Sequence, residues 1–164
     1  MITEELKAGD MVPEVVAGKL LSEKEMTVAC AESCTGGLLT SRLTDVAGSS
    51  AYVKGAVVSY TNEVKAEVLG VKQETLAAFS AVSKETATEM AEGAHRIFGT
   101  DYALSVTGNA GPGASEGKPL GLVYVGLASE KETIVHECHF TGTRHEIKEK
   151  AADEALMMLY AALK

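Results

Sequence analysis

The chain has 164 residues, 46% of them hydrophobic and 5% aromatic with no tryptophan, and a formal net charge of −8. That length suits one domain, spanning 1–164, with enough chain to bury a sizeable core. No window approaches the roughly eighteen consecutive apolar residues of a membrane span, and the acidic balance, without any Lys/Arg cluster, argues against a nucleic-acid groove. Three cysteines with no Cys-x-x-Cys pair fit a reducing compartment rather than a disulfide framework. Met1-Ile2-Thr3-Glu4-Glu5 has no basic segment leading into an apolar one, so a cytoplasmic location is expected. An anionic substrate would need a locally positive site against that global field.

Pro13 is placed near the start of a first helix carrying Val12, Val16 and Leu20, where proline is tolerated. Met26-Thr27-Val28-Ala29-Cys30 then reads as a buried strand, and Gly36-Gly37 opens a helical run with Leu38, Leu39, Arg42, Leu43 and Val46. Between them lies Ala31-Glu32-Ser33-Cys34-Thr35. A strand turning into a helix through glycines leaves amide N–H groups that attract phosphate or a developing oxyanion. The plain alternative is an ordinary turn with Ser33 or Thr35 as N-cap.

Gly55 to Tyr60 is a second β-branched run, followed by Thr61-Asn62-Glu63 and a short helical stretch that Gly70 closes. Residues 74–79 are helical, and Ser83 caps a longer helix with Ala87, Met90, Ala91, Ala94, Ile97 and Phe98 on one face, ended by Gly99. His95 and Arg96 suit the C-terminal end of that helix dipole. Tyr102 to Val106 is a third strand, running into the glycine-rich segment from Thr107 to Pro119, too long for a simple hairpin turn. Leu122–Leu127 and Ile134–Phe140 form an antiparallel hairpin. The last helix opens at Thr143 and Glu146 with capping-box spacing and packs through Ile147, Ala151, Ala155, Met158, Leu159 and Ala162. The alternation of elements predicts an α/β three-layer domain, a mixed sheet of about five strands with helices on both faces.

Such sheets place ligands beyond the carboxyl ends of their strands. Three of those ends hold the notable polar groups: Ser33, Cys34 and Thr35; Tyr60, Asn62 and Lys65; and Thr107 with the glycine-rich loop. If the strands are parallel neighbours, the groups meet at one edge. A lysine brought near a serine and partly desolvated loses its proton and activates the hydroxyl, whereas on periodicity alone Lys65 is a solvated surface lysine. Tyr60 is placed to relay or orient that proton. Cys34 is a rival nucleophile, since helix N-termini lower thiol pKa values. None of the four histidines lies beside these segments to serve as its base, and His136, Cys138 and His139 point to opposite sides of a strand, so no metal site is expected.

Ala-Glu-Ser-Cys-Thr-Gly-Gly at 31–37, Tyr60-x-Asn62-x-x-Lys65 before Leu69-Gly70-Val71, Gly108-x-Ala110-Gly111-Pro112 and Lys118-Pro119-x-Gly121 resemble the C-terminal domain of the competence and damage-inducible CinA family. The motifs occur in the family's order from about Met26 to Leu163. The resemblance implies a stand-alone nicotinamide-nucleotide amidase of pyridine-nucleotide salvage. Such an enzyme hydrolyses nicotinamide mononucleotide to nicotinate mononucleotide and ammonia without metal or cofactor. It implies Ser33 as nucleophile, Lys65 as general base and Tyr60 as their support, with amides near Thr35, Gly36 and Gly37 holding the oxyanion. Substrate contacts would come from Asn62, Thr107, Gly108, Ala110 and Gly111, with Lys118 or Arg144 assisting at the phosphate; the two glycine-rich segments can exchange these roles. Asn109, Ala114, Ser115 and Thr143 depart from the family pattern, and longer members carry an added N-terminal domain with pyrophosphatase-like activity. The alternative function is a catalytically silent nucleotide-binding or regulatory module linked to competence or damage response. Ala-rich helices on a short chain also suit a homo-oligomer.

Overall fold

The computed structural model describes residues 11–113 and 116–164. Its elements, in chain order, are α1 (Pro13–Glu23), β1 (Val28–Glu32), α2 (Leu38–Thr44), a 3₁₀ turn (Ser49–Ala51), β2 (Val53–Val58), α3 (Asn62–Glu67), α4 (Gln73–Phe79), α5 (Lys84–Phe98), β3 (Tyr102–Gly108), β4 (Leu122–Ser129), β5 (Thr133–His139) and α6 (Arg144–Leu163). The strands form one sheet in the order β2-β1-β3-β4-β5. β1 pairs in parallel with β2 and β3, and the remaining pairings are antiparallel. The expected mixed five-stranded α/β sheet is therefore present, and β1 is flanked by the two strands whose carboxyl ends matter most.

Side-chain alternation along β1 sorts the core into two halves. Val28 and Cys30 join Ala17 and Leu21 of α1, Leu39 and Leu43 of α2, and Ile147, Ala151, Ala155 and Leu159 of α6. Ala31 faces the other way, into a smaller cluster with Leu69, Val71 and Met90, Ala91 and Ala94 of α5. Glu32, next in the first series, is driven by the same alternation toward α2.

Capping behaves as the local chemistry requires. Ser83 Oγ accepts from Thr86 N–H at 3.1 Å, Gly99 closes α5 with φ of 60°, and Thr143 with Glu146 forms a complete capping box. Three details differ from the periodicity. Ile97 sits at the flank of the α5 stripe in its last turn and is 45% exposed. The first helix buries Ala17 and Leu21, with Val12 outside it and exposed, and α6 buries Leu163 while Ala162 is exposed.

β1 and β2 each lie two residues away from their expected spans. For β1 the reason is Glu32, a charged residue that reads as the end of a strand yet is fully buried. No described helix is long and apolar enough to cross a membrane.

Candidate active site

Because β1, β2 and β3 are parallel, their carboxyl ends share one edge, and a cavity of about 360 Å³ opens there. Ser33, Cys34, Tyr60, Asn62, Lys65 and Arg144 line it together with Thr107 to Gly111 and Glu116.

Ser33 follows β1 directly, and its N–H donates to Val106 O of β3 at 2.9 Å, so the residue is anchored at the sheet's centre. Lys65 belongs to α3, which Thr61 caps by accepting from Val64 N–H. The lysine points inward and is 1% exposed. Its Nζ lies 3.0 Å from Ser33 Oγ and donates to Ser59 O at 2.8 Å. Burial pushes the lysine below its ordinary pKa, against the attraction of the Glu116 carboxylate. A neutral amine there can keep its bond to Ser59 O while its lone pair accepts a hydrogen bond from the Ser33 hydroxyl. The arrangement is a desolvated amine poised on a serine.

The first turn of α2 does not face the cavity. Its helix start is Gly37, left-handed with φ of 105° and with no side chain to cap it. The cap comes instead from Glu32. Its carboxylate accepts from the N–H groups of Gly37 at 3.1 Å, Leu39 at 3.0 Å and Thr40 at 2.9 Å, and from Thr40 Oγ1 at 2.5 Å. Gly36 N–H donates to Ser33 O at 3.0 Å. Neither Ser33 nor Thr35 is the N-cap, and the Gly36 and Gly37 amides expected at an oxyanion are already engaged. Among the described residues, the Cys34 and Thr35 amides of this loop form no hydrogen bond to another residue.

Cys34 is 7% exposed, and burial first, with the Glu32 charge adding to it, pushes its thiol up to about 12. Lys65 and Arg144 pull the other way but do not overcome desolvation. A thiol so held is not a thiolate at neutral pH, which counts against the cysteine reading.

Tyr60 is 60% exposed at the cavity mouth, and its hydroxyl accepts from Arg144 Nη2 at 3.0 Å rather than from Ser33 or Lys65. Arg144, the first residue of α6, also donates to Gly111 O. Thr107 Oγ1 donates to Ala81 O at 2.7 Å, fixing the turn before α5, and Glu116 accepts from Ala81 N–H at 2.9 Å across the same turn. Asn109 braces the loop: its side chain accepts from Gly111 N–H and donates to Lys118 O, and its main chain pairs with Leu122 and Gly121.

Gly108, Ala110 and Gly111 line the cavity, and so does exposed Asn62. Thr35, Gly36, Gly37 and the Lys118 side chain do not. Ala114, Ser115 and the segment Met1–Glu5 lie outside the described residues, and among those described no cluster of His, Cys, Asp or Glu could hold a metal ion. Glu32, Ser59 and Glu116 were not singled out by the sequence. A carboxylate between an apolar strand and the serine was the only local signal for the first, and the other two depend on long-range contacts.

A mixed open sheet with a serine and a buried lysine at the shared carboxyl edge of its parallel strands defines an α/β domain with a polar cavity at that edge. Residues 11–163 match the CinA C-terminal domain model, and the chain belongs to that family. It is 52% identical over 145 residues to a CinA-like protein of Endomicrobium trichonymphae, an alignment covering 88% of this chain and 34% of that protein. A CinA-like protein of Leptospira interrogans is 52% identical over 148 residues, covering 89% and 35%. The chain therefore spans about a third of the length of these relatives. Among solved structures, the competence/damage-inducible protein CihA of Agrobacterium tumefaciens superposes with a TM-score of 0.86 at 41% identity, covering 92% of this chain and 94% of that one. The competence damage-inducible protein A (ComA) of Klebsiella pneumoniae gives 0.90 at 34% identity, with the same coverages.

Proposed function

We propose that this chain is a metal-independent amidohydrolase that converts nicotinamide mononucleotide to nicotinate mononucleotide and ammonia, in the cytoplasm, as part of pyridine-nucleotide salvage. The observation that carries the reading is the 3.0 Å approach of the buried Lys65 amine to Ser33 Oγ. A binding module has no use for a desolvated base on a hydroxyl, because burying that amine opposes folding unless the neutral form is wanted.

In this mechanism Ser33 Oγ attacks the carboxamide carbon while Lys65 takes its proton, and the tetrahedral oxyanion is held by the amide of Cys34, which lines the cavity. Lys65 then returns the proton to the nitrogen that departs as ammonia. Water, deprotonated by the same amine, resolves the acyl-enzyme to the carboxylate. Arg144, held by Tyr60 OH and Gly111 O, supplies the cation for the substrate phosphate, and Gly108, Ala110 and Gly111 let the backbone approach the nucleotide.

The test is ammonia release from nicotinamide mononucleotide, with and without a chelator, by the wild type, Ser33→Ala and Lys65→Ala. Chelator-resistant turnover that falls at least about 10³-fold in both variants supports the reading. Folded wild type that binds the nucleotide without turnover replaces it with the silent module.

A further inference from the structure

Among the described residues the carboxylate of Glu32 touches neither the cavity nor a cation, yet it is fully buried and makes four hydrogen bonds, to Gly37, Leu39 and Thr40 N–H and to Thr40 Oγ1. Its main-chain carbonyl is used as well, accepting from Ser59 N–H at 2.7 Å and from Ser59 Oγ at 3.3 Å. The Ser59 carbonyl in turn receives Lys65 Nζ. One residue thus grips the helix that follows the serine through its side chain and the residue that anchors the lysine through its backbone. The next residue in the chain is Ser33 itself.

We infer that Glu32 is a positioning residue for the Ser33–Lys65 pair: by clasping α2 on one side and Ser59 on the other, it sets the separation of the serine hydroxyl from the lysine amine. The clasp also occupies the α2 amides with an internal anion, which leaves the Cys34 amide, on the cavity wall, for a substrate oxyanion. Leaving one donor of the clasp without its acceptor loosens the turn that carries Ser33, and displacements of about 1 Å at such a pair cost on the order of 100-fold in rate. The inference rests on the serine–lysine reading of the site but not on its substrate.

The experiment compares the wild type, Glu32→Gln, Thr40→Val and Thr40→Ser by two readouts, with melting temperature as the control for folding. One readout is kcat and KM for nicotinamide mononucleotide. The other is the rate at which a fluorophosphonate probe phosphonylates Ser33, with the P–O bond forming as fluoride leaves and the serine proton passing to Lys65. In Glu32→Gln the isosteric amide presents N–H groups to N–H groups. Its kcat and its labelling rate should both fall about 30-fold or more, with KM within about twofold. Thr40→Val, which removes only the hydroxyl of the clasp, should lose a few-fold in the same two quantities, and Thr40→Ser should match the wild type.

Folded Glu32→Gln with a wild-type labelling rate overturns the inference. Should Glu32→Gln not fold, Thr40→Val decides alone: labelling equal to wild type overturns the inference, and a few-fold loss restored by Thr40→Ser supports it. Wild type that labels at Ser33 without releasing ammonia removes the substrate assignment and leaves the labelling series to judge Glu32. Wild type that does not label at Ser33 removes the serine–lysine reading and the inference with it.

Discussion

Lys65 Nζ stands 3.0 Å from Ser33 Oγ although 32 residues separate them in the chain, and the lysine is almost wholly removed from solvent. Two parallel strands and one short helix produce that contact, and the site's expected behaviour follows from its electrostatics.

Burial holds Lys65 below its ordinary pKa of 10.5, and in the proposed mechanism the acting form is the neutral amine. kcat/KM should therefore rise with pH and level off below the range of a free lysine. Glu116→Gln removes a charge that favours the ammonium, so the rising limb should move to lower pH, as a pH–rate profile will report. Between the folded and unfolded pKa values the unfolded chain binds more protons. Lys65 therefore makes stability increase with pH across that window, and Lys65→Met should flatten the slope in denaturant titrations.

Cys34→Ala should retain most of the wild-type activity, within about threefold, since a thiol pushed up to about 12 supplies no thiolate. Iodoacetamide at pH 8 should modify Cys34 slowly in the folded protein, with mass spectrometry of the Cys34 peptide as the measure. Rapid modification coupled to loss of activity would restore the cysteine as a candidate nucleophile.

Arg144 is tied to Tyr60 OH and Gly111 O on the cavity wall, with no hydrogen bond to Ser33 or Lys65 among the described residues. Arg144→Ala should raise KM for nicotinamide mononucleotide about 10- to 100-fold, the loss of a charge-assisted pair to phosphate, with a smaller change in kcat. Nicotinamide riboside, which lacks the phosphate, should be nearly indifferent to the substitution. An equal loss with both compounds would place Arg144 elsewhere in the mechanism.

Gly93 of α5 is packed on the main chain that follows α3: a β-carbon there would come within 2.1 Å of Leu69 O. That oxygen also accepts from Arg96 Nη2 at 3.0 Å. Gly93→Ala should destabilise the protein by about 1–3 kcal/mol and shift the segment that carries Lys65. Thermal unfolding together with the kcat of the folded fraction checks both consequences.

Local patterns in the chain were enough for the order of elements, the mixed sheet and the caps at Ser83 and Thr143, and they placed Ser33, Lys65 and the glycine-rich loop at one sheet edge on the condition that the strands are parallel neighbours, which β1, β2 and β3 are. These follow from period-two and helical periodicity, from glycine and proline at turns, and from the rule that parallel strands share a carboxyl end. What the tertiary structure alone decided is which polar groups are spoken for. Glu32 reads locally as the polar end of a strand, yet packing against α2 buries it, and its carboxylate takes the amides that looked free for an oxyanion. Tyr60, two residues beyond a strand, looked like a proton relay, and the return of α6 gives it Arg144 instead. Lys65 looked like an ordinary surface lysine by periodicity, and only the long-range approach of its side chain to Ser33 and Ser59 strips its water. Hydrogen-bond partnership and desolvation depend on contacts between residues distant in sequence, so they are set when the layers assemble.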